Sequence, residues 1–303
     1  MKNIIIFSNN KGWHEQSLCQ ALKKYNARVT ILSLSECRIG FNSGRIGLDI
    51  PGFSNTLPDA VFVRAVPGGG FEEVSFRLDI LHALTDLGIL VYNDARIIEQ
   101  TVDKGMTSFL LARSDIASPP AWVCESESDA LAVVEKETAA GRKLVLKPLF
   151  GNCGRGLQLI ESAMQLPATE QINGVYYLQS YVAQQNQSGR DWRVLVINGQ
   201  AVAAMERISE HWITNRARGG KCLPAVLTEQ LRNLAEDATR ATGAYYAGVD
   251  IIADAENQFM VLEVNSVPAW RGLQSVCKDN ITQLLVDDFM QQLNISQQES
   301  AVG

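Results

Sequence analysis

Three oxygen-bearing side chains interrupt two apolar runs near the C-terminal end of the sequence. Asp250 stands in Gly-Val-Asp-Ile-Ile, and Glu263 and Asn265 end the run Met-Val-Leu-Glu-Val-Asn. Residues two apart in a strand share a face, so Glu263 and Asn265 point the same way, and Asp250 on an adjacent strand can join them. Oxygen ligands suit Mg²⁺, and burying such carboxylates without a cation is costly. We therefore expect a metal site; the alternative is that both acids lie on solvated strand faces.

A lysine and a glycine-rich loop form the second candidate group, in the segment KLVLKPLFGNCGRG of residues 143–156. We predict that a strand delivers Lys147. We also predict that Gly151, Gly154 and Gly156 let backbone N–H groups approach phosphate oxygens. The segment is neither a Walker loop nor a dinucleotide fingerprint. An ordinary flexible hairpin is the alternative interpretation.

Local basic charge marks the third group. Its members are Arg193, Arg207, Asn215, Arg216, Arg218 and Lys221, with Gly219-Gly220 between the last two. Planar guanidinium groups match carboxylates and phosphates bidentately, so this group is suited to an anion. A charge-stabilised surface loop is the alternative. Asp191 either orients Arg193 or is a surface turn residue.

Composition narrows the classes of function. The 303 residues carry a net charge of −6, and nucleic-acid binding needs Lys and Arg to neutralise phosphates, so we expect no nucleic-acid partner. The apolar run Ile4 to Phe7 is shorter than a signal-peptide core, and no segment approaches a membrane span. We therefore expect a cytoplasmic protein without a membrane partner. The six cysteines are scattered and indicate neither a zinc site nor a disulfide framework, although Cys153 sits inside the glycine-rich loop.

Alternating strand and helix patterns must position these groups. Up to residue 95 the predicted strands are Ile4–Ser8, Val29–Leu34, Ala60–Arg64 and Leu90–Tyr92, and the predicted helices are Glu15–Tyr25 and Glu72–Leu87. This alternation predicts a small parallel sheet with helices on its faces. Between its strands, the Gly-, Asn-, Ser- and Arg-rich segment Arg38 to Leu57 looks like an irregular loop. Gly68-Gly69-Gly70 is interpreted as a turn into the next helix.

From Arg96 onwards the pattern changes. The predicted helices are Asp103–Ser114, Ser128–Ala140, Thr228–Thr242 and Ile281–Leu293. The predicted strands are Lys143–Pro148, Gly156–Ile160, Tyr177–Val182, Arg193–Ile197, Ala201–Arg207, Gly248–Ala253 and Phe259–Asn265. Asn198-Gly199 favours a two-residue hairpin turn. The polar tail Ser296 to Gly303 is expected to be frayed.

The order of these groups along the chain resembles the ATP-grasp superfamily, in particular its RimK-type branch of α-L-glutamate ligases. The residues that carry the resemblance are Lys104, Lys147 with its glycine loop, Gln179-Ser180-Tyr181-Val182, Asp191-x-Arg193, Arg207, Asn215 with Arg218-Gly219-Gly220, Asp250 and Glu263-x-Asn265. The resemblance covers about residues 96 to 290. It implies an α/β fold with α+β lobes: a parallel-sheet pre-ATP-grasp domain over residues 1–95, a central ATP-grasp lid subdomain over 96–185 and a C-terminal metal and substrate subdomain over 186–295.

The resemblance also implies ATP and two Mg²⁺ ions as cofactors, with Mn²⁺ able to substitute. The residues implied to bind the nucleotide are Lys104, Lys147, Gly151, Gly154, Gly156, Gln179, Ser180, Val182 and Asp191. The metal ligands implied are Asp250, Glu263 and Asn265. The residues implied to bind the γ-phosphoryl group and the acyl phosphate are Arg193, Arg207, Asn215 and Arg218. Ser180 stands where the family commonly has an acidic residue, and Cys153 where it more often has a small polar one.

The segments Trp212 to Lys221 and Glu263 to Leu273 look most like ligases that add glutamate to pterin-type one-carbon coenzymes. We expect small-molecule carboxylate and amino-acid substrates and a homo-oligomer. The alternatives are an ATP-grasp ligase of another acceptor class, for peptide or amino-acid biosynthesis, a nucleotide-binding module without turnover, and a carbohydrate or pterin kinase. Loops at the ends of parallel strands, residues 12–15 and 38–45, are expected to help bind the acid. His211 is the histidine expected near the site.

Overall fold

Four β-sheets organise the residues that the structure describes. The computed structural model describes residues 1–42, 45–53, 56–151, 154–184 and 189–302. Its strands are β1 Asn3–Phe7, β2 Arg28–Leu32, β3 Arg38–Asn42, β4 Arg45–Asp49, β5 Ala60–Val63, β6 Leu90–Tyr92, β7 Ala121–Cys124, β8 Leu144–Lys147, β9 Gln158–Ile160, β10 Tyr176–Ser180, β11 Gly189–Ile197, β12 Gln200–Ser209, β13 Lys221–Pro224, β14 Tyr246–Ala253 and β15 Phe259–Asn265. Its helices are α1 Trp13–Leu22, α2 Phe71–Asp86, α3 Ala95–Val102, α4 Lys104–Arg113, α5 Glu127–Ala139, α6 Glu229–Thr242, α7 Arg271–Gln274 and α8 Ile281–Val302.

The N-terminal sheet is parallel, as predicted, with the strand order β2-β1-β5-β6. Its central strand β1 is apolar throughout because a parallel sheet is covered on both faces. Ile4 and Ile6 pack with α1 and α8 on one face, whereas Ile5 and Phe7 pack with α2 on the other. Just after the carboxyl end of β5, Arg64 donates to the carbonyl of Pro268 at 3.0 Å, which links this end of the sheet to the C-terminal part of the chain.

The expectation of an irregular loop over Arg38 to Leu57 is wrong, because β3 and β4 form an antiparallel pair there. Ile39 and Leu48 lie opposite each other in its register and pack against the core of the N-terminal sheet. The glycines and polar residues of this segment hide a short alternation of apolar and polar positions, which is the pattern that a half-buried hairpin needs.

The central sheet has the antiparallel order β7-β10-β8-β9 and carries α5 on one face. Strand β8 ends at Lys147, so a strand delivers this lysine, as predicted. Helix α4 begins at Lys104, where the side chain of Asp103 accepts a hydrogen bond from the N–H of Met106 at 3.0 Å. Each lysine is therefore fixed at the end of a regular element.

The C-terminal sheet has the antiparallel order β13-β12-β11-β14-β15 and packs α6 on one face. The predicted hairpin of β11 and β12 is confirmed, with Asn198 and Gly199 at φ +49° and +71°. Both residues take positive φ in a type I′ turn, whose twist matches the flanking strands. Helix α6 lies between an N-cap at Thr228 and a left-handed C-cap at Gly243.

The last helix, α8, extends to Val302, so the expectation of a frayed tail from Ser296 is wrong. Leu285, Phe289 and Leu293 recur every fourth residue and are buried in the core beneath the N-terminal sheet. Beyond them, the side chain of Gln297 accepts a hydrogen bond from Lys2, which ties the helix end to the start of β1.

The three larger sheets take their strands from residues 3–92, 121–180 and 189–265. The predicted division at residues 95 and 185 stays a prediction. Within the described ranges, no helix combines the length and the apolar character that a bilayer crossing requires.

Candidate active site

A cavity of about 630 Å³ lies between the central and C-terminal sheets. The predicted residues that line it are Lys104, Lys147, Gly151, Gly154, Gln179, Ser180, Val182, Asp191, Arg193, Arg207, Asn215, Asp250, Glu263 and Asn265. Gly156 and Arg218 do not line it. Glycine is needed at position 156 for a local steric reason instead. Its φ is +72°, and an added Cβ would lie 2.7 Å from Cγ of Pro148.

A row of charged side chains, termed here the charged row, crosses the C-terminal sheet. Asp191 lies opposite Arg207 in the β11–β12 register, Arg193 lies opposite Asp250 between β11 and β14, and Asp250 lies opposite Glu263 between β14 and β15. Asp191 and Arg193 are two residues apart on one strand, so the row occupies one face of the sheet. All five residues line the cavity.

Two bidentate ion pairs hold the charged row together. Nε and Nη2 of Arg207 donate to Oδ1 and Oδ2 of Asp191 at 2.7 and 2.5 Å, and Nη2 also lies 3.0 Å from Oδ2 of Asp250. Arg193 donates to Asp250 through Nε and, at 2.7 Å, through Nη2. Burial alone would raise the pKa of Asp250, but the two guanidinium groups outweigh it and lower that pKa to about 2. Asp250 is therefore ionised at neutral pH.

The structure corrects the expectations for Asp191. Asp191 is only 4% exposed, so it is no surface turn residue, and it binds Arg207 and not Arg193. The hydroxyl of Thr214 donates to it at 2.8 Å. With both oxygens engaged, Asp191 positions Arg207, and its predicted contact with a nucleotide stays a prediction. Of the three guanidinium nitrogens of Arg207, Nε and Nη2 bind Asp191, so Nη1 is the one left to contact a phosphoryl group.

The predicted metal ligands offer a donor set that fits a hard divalent cation. The carboxylate of Glu263 makes no hydrogen bond or ion pair with any other described residue. Oδ1 of Asn265 accepts the N–H of Val267 at 3.0 Å and keeps a second lone pair. The oxygens of Asp250 must be shared with its arginines. Two carboxylates and one amide are enough for Mg²⁺, which usually completes its shell with water and phosphate oxygens.

A bulge in β15 aims one more residue at the cavity. Asp250 pairs with Glu263, but Ile251 pairs with Val261, which leaves Leu262 as an extra residue. Consecutive strand residues normally face opposite sides, whereas Leu262 and Glu263 both line the cavity. Sequence reasoning did not find Leu262, because nothing in a run of apolar letters marks where a strand takes in an extra residue.

Two lysines reach the middle of the cavity with their charge weakly compensated. Nζ of Lys147 donates to Oε1 of Gln179 at 2.5 Å, and Nζ of Lys104 donates to the carbonyl of Gly151 at 3.0 Å. Burial removes water from both ammonium groups, which lowers the pKa of Lys104 and lowers that of Lys147 to about 8; nearby Glu263 opposes both changes. A bound anion would therefore stabilise the charged form of both ammonium groups.

One end of the cavity is largely apolar. Its lining includes Val145, Leu157, Tyr181, Ile252 and Leu262. Residues 179–182, implied above to bind the nucleotide, border this end. Two of their donors are already bonded: the N–H of Ser180 to the carbonyl of Pro120 and the N–H of Tyr181 to the carbonyl of Lys143. A planar, polar-edged ring fits such a slot. It would rely on Val182 and on carbonyl groups for hydrogen bonds.

The opposite end of the cavity is basic and includes a histidine that sequence reasoning underrated. His14 lines the cavity with Arg216 and Arg271, whereas His211 is exposed outside it. Nε2 of His14 accepts the N–H groups of Trp270 and Arg271 at 3.2 and 3.3 Å. Burial, with nearby arginines, lowers the pKa of His14 to about 4, so the ring is neutral. Its position after the first predicted strand was the available indication.

Two earlier expectations fall partly outside the described residues. The structure describes neither Cys153 nor the side chain of Arg45, so the expectations for these two residues are not addressed. Arg38, from the same hairpin, is exposed and pairs with Asp49 at 3.1 Å. The cysteines that the structure does describe are free thiols.

The sequence is similar to that of known ATP-grasp proteins. A sequence profile of the RimK-like ATP-grasp domain matches residues 101–289. The tetrahydromethanopterin:alpha-L-glutamate ligase of Methanocaldococcus jannaschii is 32% identical over 284 residues, covering 90% of this chain and 93% of that protein. The alpha-aminoadipate–LysW ligase LysX of Saccharolobus solfataricus is 29% identical, covering 91% and 96%.

Solved structures share the fold. The ATP-grasp ligase PsnB, complexed with minimal precursor, Mg and ADP, superposes with a TM-score of 0.71 at 19% identity, covering 96% of this chain and 98% of that one. The D-cycloserine synthetase DcsG superposes with a TM-score of 0.70 at 18% identity, covering 96% and 99%.

Proposed function

We propose, from the premise that this chain belongs to the RimK-like ATP-grasp family and is an ATP-dependent ligase, that it adds L-glutamate to a small-molecule acid such as a pterin-type one-carbon coenzyme. The observation that carries the chemistry is the single cavity that joins Lys104, Lys147, the charged row and Asn265. The substrate class is supported by the relative of 32% identity, which is named a tetrahydromethanopterin:alpha-L-glutamate ligase.

The proposed reaction has two steps. A carboxylate oxygen of the acid attacks the γ-phosphorus of ATP, which forms an acyl phosphate and releases ADP. The amine of glutamate then attacks the acyl carbon, and the phosphate leaves with the electron pair of the acyl–oxygen bond while the amine loses its proton. Neither step needs a covalent bond to the protein, so positioning and charge compensation can supply most of the catalysis.

The chain's own residues have distinct tasks in this proposal. Lys104 and Lys147 bind the phosphates, and the apolar end of the cavity holds adenine. Arg193 and Asn215 face the transferring phosphoryl group, and Arg207 holds Asp250 in place through an ion pair. Asp250, Glu263 and Asn265 would hold Mg²⁺, which neutralises phosphate charge. We also propose two ions, replacement by Mn²⁺, a homo-oligomeric assembly and a cytoplasmic location.

No histidine of the described cavity is suited to take the proton of the amine. The lone pair on Nε2 of His14 already accepts two backbone N–H groups, and the exposed His211 lies outside the cavity. We therefore propose that the amine binds with its proton shared by phosphate or water oxygens, without a dedicated protein base.

A ligase for another acceptor is the second candidate, because LysX is 29% identical over 91% of this chain. One mass-resolved assay separates the candidates. The chain is incubated with ATP and Mg²⁺, and with either glutamate and reduced pterin acids or α-aminoadipate and peptides that carry a free carboxylate. Addition of one glutamyl unit to a pterin acid supports the proposal, and addition of α-aminoadipate to a peptide supports the second candidate. A stable phosphorylated acid would indicate a kinase, and ATP binding without product would indicate a module without turnover.

A further inference from the structure

Two arginines at the basic end of the cavity differ from the arginines of the charged row. Arg193 and Arg207 are each paired with an aspartate. In contrast, the guanidinium groups of Arg216 and Arg271 line the cavity without an ion pair or hydrogen bond to any residue in the described ranges. Both residues are exposed. Their charge therefore faces the cavity uncompensated.

A third arginine stands behind them. The guanidinium carbon of Arg64 lies 4.5 Å from the ring centroid of Trp270, and Nη1 donates to the carbonyl of Pro268 at 3.0 Å. Its Nε is buried without a hydrogen-bond partner among the described residues. Arg64 thus fixes the wall from which Arg271 projects and adds positive charge to it.

An acid next to His14 does not neutralise these arginines through an ion pair. Glu15 is 6% exposed and accepts the hydroxyl of Ser8 at 2.9 Å, but it forms no ion pair with an arginine in the part of the chain that the structure describes. The three arginines also help to keep the neighbouring His14 neutral, in addition to the effect of its burial. Within the described ranges, Arg64, Arg216 and Arg271 therefore have no carboxylate partner in an ion pair.

This end adjoins the residues that would hold the transferring phosphoryl group. A Cβ added to Gly248 would lie 2.9 Å from Cβ of Pro268 and 3.1 Å from Nη1 of Arg193, so the Pro268 segment and Arg193 meet across this glycine. On the other side, a Cβ at Gly272 would lie 3.3 Å from Cδ of Arg216. The basic end is therefore continuous with the reaction centre but set apart from its ion pairs.

We propose that Arg216 and Arg271, backed by Arg64, form an arginine subsite that binds a carboxylate of a substrate other than the carboxylate that is phosphorylated. The proposal rests on the proposed function for the reaction and adds the requirement that one substrate carries a remote carboxylate. Guanidinium groups bind a carboxylate bidentately. A substrate carboxylate would therefore give these arginines the ion-pair partner that they lack among the described residues. The acid and glutamate are both possible sources of this carboxylate.

Steady-state kinetics of Arg271→Gln and Arg216→Gln distinguish the sources. Loss of one charge-assisted hydrogen bond is expected to raise one Michaelis constant by about 10- to 100-fold. A rise confined to glutamate assigns the subsite to the amine, and a rise confined to the acid assigns it to the acid. The KM for ATP should change less than about twofold, since the lost bond is not made to the nucleotide. Unchanged constants for both substrates, or an equal rise for ATP, would overturn the subsite.

A binding experiment separates failure of the subsite from failure of the proposed function. Glutarate is titrated into the full chain without ATP, and tryptophan fluorescence is followed because Trp270 packs against Arg64. Saturable binding of glutarate, absent for glutaramide and weakened about tenfold or more in Arg271→Gln, supports the subsite even where no pterin acid is ligated. Arg240→Gln, at an exposed position on α6, is the matched control and should bind as the parent chain does. Equal responses to glutarate and glutaramide would refute the subsite alone.

Discussion

Asp250 and Glu263 lie directly opposite each other on β14 and β15, yet their carboxylates have different surroundings. Asp250 is bound by Arg193 and Arg207, whereas Glu263 has no ion pair or hydrogen bond within the described residues. One acid is part of the protein's own charge balance, and the other is open to a ligand. The two positions therefore respond differently to the same kind of substitution.

Glu263→Gln is expected to remove catalysis and leave the fold intact. Loss of one preorganised charged group costs about 10²- to 10³-fold in kcat, while no internal bond of the folded chain is broken. ATP-dependent phosphate release and thermal unfolding measure the two effects. Glu256→Gln, in the exposed turn between the same strands, is the control and should keep full activity. Full activity in Glu263→Gln would remove this residue from the metal site.

Asp250→Asn is expected to destabilise the fold, by about 3 kcal/mol or more, because the half-buried Arg193 loses its carboxylate partner and the buried Arg207 loses one of two. The free energy of unfolding from urea titration measures this loss. The pH dependence has a definite sign. The pKa of Asp250 is about 2 in the fold, below that of an unfolded aspartate, so its contribution is complete above about pH 4 and is lost as the pH falls towards 2. The variant should lack this component of acid unfolding; equal acid sensitivity would contradict the ion pairs.

Nucleotide binding is expected to take up a proton above about pH 8. Lys147 has a pKa of about 8 in the ligand-free site, and bound phosphate favours its charged form and raises that pKa. The affinity for ADP should therefore fall as the pH rises from about 8, and burial gives Lys104 a change of the same sign. Calorimetry at about pH 9 in buffers of different ionisation enthalpy counts the protons. Lys147→Arg, which stays charged, should remove the Lys147 share; an unchanged proton count would contradict the assignment.

Gly156→Ala is expected to weaken nucleotide binding through the loop and not through a lost contact. Its φ is +72°, and the new methyl group would meet Pro148 at 2.7 Å, next to Lys147. Gly141→Ala is a matched control, with φ +74° and nothing within 4 Å of the added carbon. Both variants should lose about 1 kcal/mol of stability from the backbone strain. Only Gly156→Ala should raise the Kd for ADP, and an equal rise in both variants would contradict the role of Pro148.

The sequence predicted much of the framework, because apolar runs and turn residues are local. The parallel N-terminal sheet, the Asn198-Gly199 hairpin and the helices around Lys104 and Thr228 were all found in this way. The β3–β4 hairpin was missed because its composition resembles that of a loop. The tail was misjudged because its helix is supported by contacts with Lys2 at the other end of the chain.

The pairing within the charged row could not be predicted from the sequence. A regular two-residue hairpin closed by Asn198-Gly199 would place Asp191 opposite Glu206. The register shifts between Leu195 and Val196, however, and Asp191 meets Arg207 instead. Such a shift depends on how the whole strand packs and leaves no mark in the local sequence. The same holds for Leu262.

The covering of β1 by α8 has a consequence for biosynthesis. Ile4, Ile6 and Phe62 belong to the first 95 residues, but Leu285 and Phe289, which help to shield them, are synthesised about 200 residues later. A growing chain therefore carries an apolar sheet face that α1 covers only in part until α8 has been made. This interval is when the nascent protein is most exposed to aggregation, and when holding by a chaperone would matter most.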